Sequence, residues 1–251
     1  MVSVATLRRE LEQLFPGKWL SGGESSRALK TGLEQIDLLS SGLLRRHVTE
    51  WVGNSSSGKT TVLRTICANW CASGLNIIYV DTFDRLIASD WCSVDSKGRF
   101  WVLRSKLEDE YGKRDYLKDA LWACEQLIRS RVFDVVILDL AERGITSSIY
   151  TRFKRSLERS NTSLIVLRDD SSTSPRESGW GSSMRLDFNF AAPIRSELGV
   201  SGIATIVPTI KGSICRDGMS KNMEVSVAPY VQNRLFTHPP VPDRRTPKNR
   251  T

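Results

Sequence analysis

No apolar run in this chain approaches the length that crosses a bilayer, and its first residues lack the hydrophobic stretch of a secretory signal. A membrane anchor is therefore not expected, and the reading is of a cytoplasmic protein. Paired cysteines are missing as well. The five cysteines, Cys67, Cys71, Cys92, Cys124 and Cys215, are odd in number and include no C-x-x-C. That spacing offers neither a zinc knuckle nor a disulfide framework, and it fits a reducing compartment. Acid is also short, with 36 Lys and Arg against 28 Asp and Glu, a formal net charge of +8. A basic balance favours a polyanionic partner, nucleic acid first; a solvated basic surface is the plainer alternative.

What is present is enough for one large α/β domain with appendages: 251 residues, 40% hydrophobic and 25% charged. The stretch Gly53-Asn54-Ser55-Ser56-Ser57-Gly58-Lys59-Thr60 matches G-x-x-x-x-G-K-[ST], the phosphate-binding loop. Its surroundings agree. His47 to Val52 reads as a buried strand, and Thr61 to Ala72 as a helix that Gly74 stops. In such a loop the glycines let successive N–H groups face one concavity and hold phosphate oxygens. Lys59 would reach the β- and γ-phosphates of ATP, and the Thr60 hydroxyl would ligate Mg²⁺. Thr61 completes the nucleotide-binding set. A chance Gly/Ser turn before a helix is the bland alternative.

Around this loop the chain shows the order T-G-x-x-x-x-D-x-x-x-x-G-L (31–43), then V-T-E-x-x-G (48–53), then S-S-G-K-T-T (56–61). This resembles the core of RecA-type recombination ATPases. With its short Leu/Arg helix and the Phe15-Pro16-Gly17-Lys18-Trp19 that follows, the chain is most similar to the RecA-like ImuA group, accessory proteins of damage-induced (SOS) mutagenesis. The resemblance covers roughly residues 3–230 and is strongest over 28–140. Where the family often has a second glycine after G-L, this chain has Leu44-Arg45-Arg46. The resemblance implies a RecA-like P-loop fold: a mostly parallel twisted sheet flanked by helices, with antiparallel strands near the C-terminus. It also implies ATP and Mg²⁺ as cofactors, protein partners of the mutagenesis and recombination machinery, self-association, and nucleoid association.

Asn76 to Asp81 reads as a strand, and its continuation is Tyr79-Val80-Asp81-Thr82-Phe83. In the family a water-activating Glu stands where this chain has Phe83, and loss of a general base costs about 10²–10⁴ in rate. ATP should be held but barely hydrolysed. Asp84 could substitute only if the strand end slips in register. Arg99 to Arg104 reads as another strand and Asp115 to Ser130 as an amphipathic helix. Phe133 to Leu140 is an apolar strand carrying Asp139, the Walker B pattern, in which Asp139 holds a water of the Mg²⁺ ion; a helix-capping Asp is the other reading. Thr146 to Ser160 reads as a basic helix. Ser163 to Leu167 reads as a strand that, in the family, ends in a polar sensor of the γ-phosphate; here it runs into Arg168-Asp169-Asp170.

The Ser/Gly-rich stretch 171–183 corresponds to a DNA-contacting loop of the family, so Arg176 and Trp180, with Arg185 just beyond, are candidate contacts for single-stranded DNA. A connector without a ligand fits equally. Met184 to Phe190 alternates as a half-buried strand. Ile203 to Ile210 and Met223 to Val227 read as two further strands joined by a turn over Gly212 to Lys221. The expected organisation is an N-terminal helix (1–20), a linker (21–27), the nucleotide-binding domain (28–235) and a disordered basic, Pro-rich tail (236–251). The leading reading is an ATP-binding accessory protein of DNA repair. Its rival is a DNA-dependent ATPase that forms recombination filaments on single strands. A kinase or transporter ATPase lacks support, since no Arg-rich lid and no L-S-G-G-Q signature stand out.

Overall fold

The structure is a computed structural model that describes residues 28–40, 42–92, 94, 97–104, 115–169, 183–189, 209–216 and 219–227, and the backbone alone at 195–198 and 204–207. The expected N-terminal helix, the linker 21–27, positions 171–182 with Arg176 and Trp180, and the tail 236–251 lie outside the described residues. Among the described residues no helix is long and apolar enough to cross a membrane.

The T-G-x-x-x-x-D run has a local physical role. The Asp37 carboxylate accepts from the Thr31 N–H at 2.8 Å, the Thr31 hydroxyl at 3.0 Å and the Gly32 N–H at 3.1 Å. One acid thus ties the chain leaving β1 (Ala28–Leu29) to the start of α1 (Glu34–Ser40). β2 (Leu43–Leu44) then pairs antiparallel with β1. The turn after β2 places Arg46 at φ 64°, a left-handed conformation that glycine adopts without strain. The Arg45 guanidinium crosses to Asp134 at 3.4 Å and to Asn161 O at 3.2 Å.

From there strands and helices alternate: β3 (Val48–Val52), α2 (Lys59–Ala72), β4 (Ile77–Asp81), α3 (Ala88–Trp91), β5 (Phe100–Arg104), α4 (Tyr116–Ser130), β6 (Val135–Asp139), α5 (Ser147–Glu158) and β7 (Ser163–Arg168). The strands β8 (Met184–Asn189), β9 (Arg195–Leu198), β10 (Ala204–Val207), β11 (Thr209–Arg216) and β12 (Met219–Ser226) follow. An eight-stranded sheet has the order β12-β11-β8-β3-β7-β6-β4-β5. From β5 to β8 every neighbouring pair is parallel, whereas β11 runs antiparallel to both β8 and β12. Two apolar clusters cover the sheet's two faces. One is built on α2, with Val62, Ile66 and Trp70 against Trp51, Ile137 and Ile165. The other is built on α4 and α5, with Cys124, Ile128 and Phe153 against Val136, Leu138 and Val166. Cys67 and Cys71 are buried on α2 in the first cluster.

The helix over 116–130 begins at Asp115, whose carboxylate accepts from the Lys118 N–H at 3.2 Å. Near the C-terminus the expected strand pattern needs correction. Gly212 to Lys221 is not a turn: β11 continues through Gly212 to Arg216, and β12 already begins at Met219. Gly212 packs against β8 so closely that a Cβ would fall 2.0 Å from Asp187 O. Such an approach is a strand role for glycine, invisible without the neighbouring strand. Nor is 203–210 one strand. Ala204–Val207 pairs with β9 in a separate two-stranded sheet, and Thr209 opens β11.

Candidate functional site

β3 is buried along its whole length and ends at Val52, after which Gly53 opens the loop into α2. Gly58 at the helix start has φ 83°, and a Cβ there would lie 2.6 Å from Ile210 Cδ1. At Gly53 a Cβ would meet Ser57 Oγ at 2.5 Å and Phe188 O at 2.6 Å. Gly53 is therefore required by its contact with the β8 backbone, and Gly58 by its left-handed turn. Ser57 N–H bonds Asn54 O at 3.0 Å, closing the loop on itself. The Ser57 hydroxyl is buried with no hydrogen-bond partner. Asn54, Ser55 and Ser56 are exposed, as is Thr60, while Thr61 is half-buried. Lys59 is 5% exposed, and its ammonium donates to Gly53 O at 2.7 Å.

A cavity of about 190 Å³ opens at the C-terminal ends of β4, β6 and β7, lined by Ser55, Lys59, Thr60, Tyr79, Arg85, Asp139 and Asp169, with Leu86, Ile87, Asp90, Trp91 and Leu167. The loop residues and the acid at the end of β6 thus share one space. Asp139 caps no helix: the residue before α5 is Thr146. Its Oδ1 accepts the Ala141 N–H at 3.0 Å, and its Oδ2 accepts the Tyr79 hydroxyl at 2.8 Å. Burial pushes the Asp139 carboxyl above its usual range, against the pull of those donors and of Arg85. Burial likewise raises the Tyr79 hydroxyl well above its usual value, and Asp139 beside it adds to the shift. A carboxylate so placed is apt to hold a cation. The fit of the loop to a phosphate chain rests on the glycine cradle, the unpartnered Ser57 hydroxyl and the buried Lys59.

The end of β4 settles the register there. Asp81 pairs with Asp139 across the sheet and is buried, its carboxylate accepting the N–H groups of Arg85 at 2.9 Å and Leu86 at 3.0 Å. Arg104 reaches it as well, at 3.2 Å. Phe83 follows in a turn, half-buried and outside the residues that line the cavity. Asp84, at φ 54°, is exposed and pairs with Arg104 at 3.1 Å. The charged side chain that reaches the cavity from this turn is a cation, Arg85.

Three residues of this arrangement carried no assignment in the sequence reading: Tyr79, Arg85 and Asp169. Tyr79 stands within the quoted strand motif, but its bond to Asp139 depends on β4 lying next to β6. Arg168, the last residue of β7, turns its guanidinium to the buried Glu50 of β3 at 2.7 Å. Asp169 instead enters the cavity and pairs with both Lys59 and Arg85. Burial works to raise the Asp169 carboxyl, yet the bonds from those two cations outweigh it and hold it below its usual range. Of the candidate DNA contacts, Arg185 lies on β8, 18% exposed and bonded to Asp187 at 2.7 Å.

A parallel sheet centred on β3, a glycine loop closed by a lysine and an acid two strands away define an α/β P-loop protein of RecA-like architecture. The structure superposes on RadB recombinase with a TM-score of 0.54 and 14% sequence identity, over 77% of this chain and 94% of that one. At that identity the likeness is one of fold. In sequence the chain is 36% identical over 96 residues to DNA repair protein RAD51 homolog 4 of Mus musculus. That match spans 35% of this chain and only 29% of the mouse protein. No protein-family model matches the chain.

Proposed function

We propose that this chain is an ATP-binding, RecA-like protein of DNA repair and recombination that holds nucleotide with Mg²⁺ and turns it over slowly, if at all. The observation that carries the reading is the shared cavity: loop, Lys59, Thr60 and Asp139 meet there, while the segment after β4 sends in Arg85 and not a glutamate. Loop N–H groups and Lys59 would hold the phosphates, and Thr60 with Asp139 would hold the cation. Bound ATP supplies the negative charge that these donors await. RAD51 homolog 4 is named a DNA repair protein and RadB a recombinase, which supports a role in that chemistry. The finer reading is an accessory role in damage-induced mutagenesis, exerted through protein partners and single-stranded DNA. Arg176, Trp180 and Arg185 remain its proposed DNA contacts.

Calorimetry with Mg·ATP, together with turnover assays with and without single-stranded DNA, tests this. Wild type should bind and hydrolyse slowly in both conditions, and Lys59→Ala should lose tight binding. Equal affinity in the two proteins would remove the nucleotide role. Brisk turnover on single strands would favour the filament-forming ATPase instead.

A further inference from the structure

The cavity beside the phosphate loop already contains an anion, and that anion belongs to the chain. Asp169 immediately follows β7, its N–H bonded to Ala141 O at 2.7 Å. Its two carboxylate oxygens are taken by different cations: Oδ1 by the Lys59 ammonium, Oδ2 by the Arg85 guanidinium at 2.7 Å. The side chains of Lys59 and Asp169 are 6% and 15% exposed, so this pair is screened little by water. Lys59 also donates to Gly53 O, which leaves the loop's only lysine engaged within the protein. Arg85 is 39% exposed and approaches the same carboxylate from the cavity's open side.

We propose that Asp169 is a built-in stand-in for the terminal phosphate of a nucleoside triphosphate, released when that phosphate takes over Lys59 and Arg85. The inference rests on the nucleotide-binding reading above. Its physical basis is charge. Two cations now share one carboxylate, and Asp139 adds a second negative group to the same space. A phosphate cannot enter beside an undisplaced Asp169 without repulsion from both acids. A phosphate offers more charge and more acceptor oxygens than a carboxylate, so both cations can exchange partners without loss of hydrogen bonds. A diphosphate lacks the last group and competes for Lys59 alone. Arg85 would then distinguish ATP from ADP, and Asp169 would lower affinity for the triphosphate until it is displaced.

The test uses the full chain, with calorimetric titration of Mg·ATP and Mg·ADP into wild type, Asp169→Asn, and Asp169→Asn carrying Arg85→Ala. Asp169→Asn should bind ATP about tenfold tighter than wild type, because the internal competitor is gone. Adding Arg85→Ala should cost about tenfold for ATP and leave ADP within about twofold. The asparagine background matters, since in wild type Arg85 loses one partner as it gains the other. Asp169→Ser replaces Asp169→Asn if the latter fails to fold. Unchanged or weaker ATP binding in both Asp169 variants would make the pair a fixed structural clamp and overturn the proposal. Equal losses for ATP and ADP on Arg85→Ala would overturn Arg85 as the discriminating residue. If wild type and the Asp169 variants bind neither nucleotide, the nucleotide-binding reading falls too; binding without tightening sinks this inference alone.

Discussion

The interior strands of the main sheet and the strands from β8 to its β12 edge follow different rules. β3 and β4 are buried at every position and β6 and β7 at all but their last, because α2 packs on one face and α4 with α5 on the other. β8 alternates buried and less buried residues, and β12 exposes six of its eight. The buried apolar side chains of β8, β11 and β12, such as Leu186, Ile214 and Val225, join the α2-side cluster and none joins the other. A strand covered on both faces reads as a continuous apolar run; a strand covered on one face reads as alternation. The difference also separates roles. The doubly covered half fixes the strand ends that converge on the phosphate loop, while the one-sided half supports β3 laterally and contributes Ile210 against Gly58.

Breaking the charged pair inside the doubly covered half should have the largest effect. Glu50 is 1% exposed, with one oxygen bonded to Arg168 and the other buried without a partner. Arg168→Met would leave an uncompensated buried carboxylate, and urea unfolding at neutral pH should show a loss of about 3–5 kcal/mol. The pH dependence has a definite sign. Burial already raises the Glu50 carboxyl above its ordinary 4.5, against the pull of Arg168, so removing Arg168 raises it further. The folded state then binds the proton more tightly than the unfolded chain does. The variant's stability should fall as pH rises from 4.5 through the raised pKa, and its deficit should shrink on acidification. A deficit that does not change with pH would show that Glu50 finds another partner.

Next comes packing. Ile137, fully buried in β6, should cost about 2–5 kcal/mol as Ile137→Ala, whereas Lys221→Ala on the open face of β12 should stay within about 0.5 kcal/mol. Similar losses at the two sites would remove the distinction between the halves. The smallest effect belongs to the turn before β3. Arg46 is exposed in a left-handed conformation, and Arg46→Gly should relieve that strain at some entropic cost, a net gain below about 1 kcal/mol by thermal melting.

Much of this molecule was legible along the chain, because its information is local. The loop 53–60 carries its own glycines, lysine and threonine, and the four-residue apolar runs within β4, β6 and β7 announce strands covered on both faces. Legibility failed at the C-terminal hairpin. Gly212 looked like a turn residue but serves a close contact with β8, and a glycine's partner is not written beside it.

The sequence by itself determined the βα succession, the glycine-lysine loop after β3, the acid at the end of β6 and the absence of a glutamate at position 83, since each depends on residue type and spacing. Only the tertiary structure decided what surrounds the loop lysine. Lys59, Arg85 and Asp169 are separated by up to 110 positions in the chain, and they meet because β4 and β7 flank β6 and their ends open on one cavity. The ion pairs among them follow from strand order, which sequence periodicity does not encode: a 2-residue or 3.6-residue period tells which face a side chain takes, not which strand lies beside it.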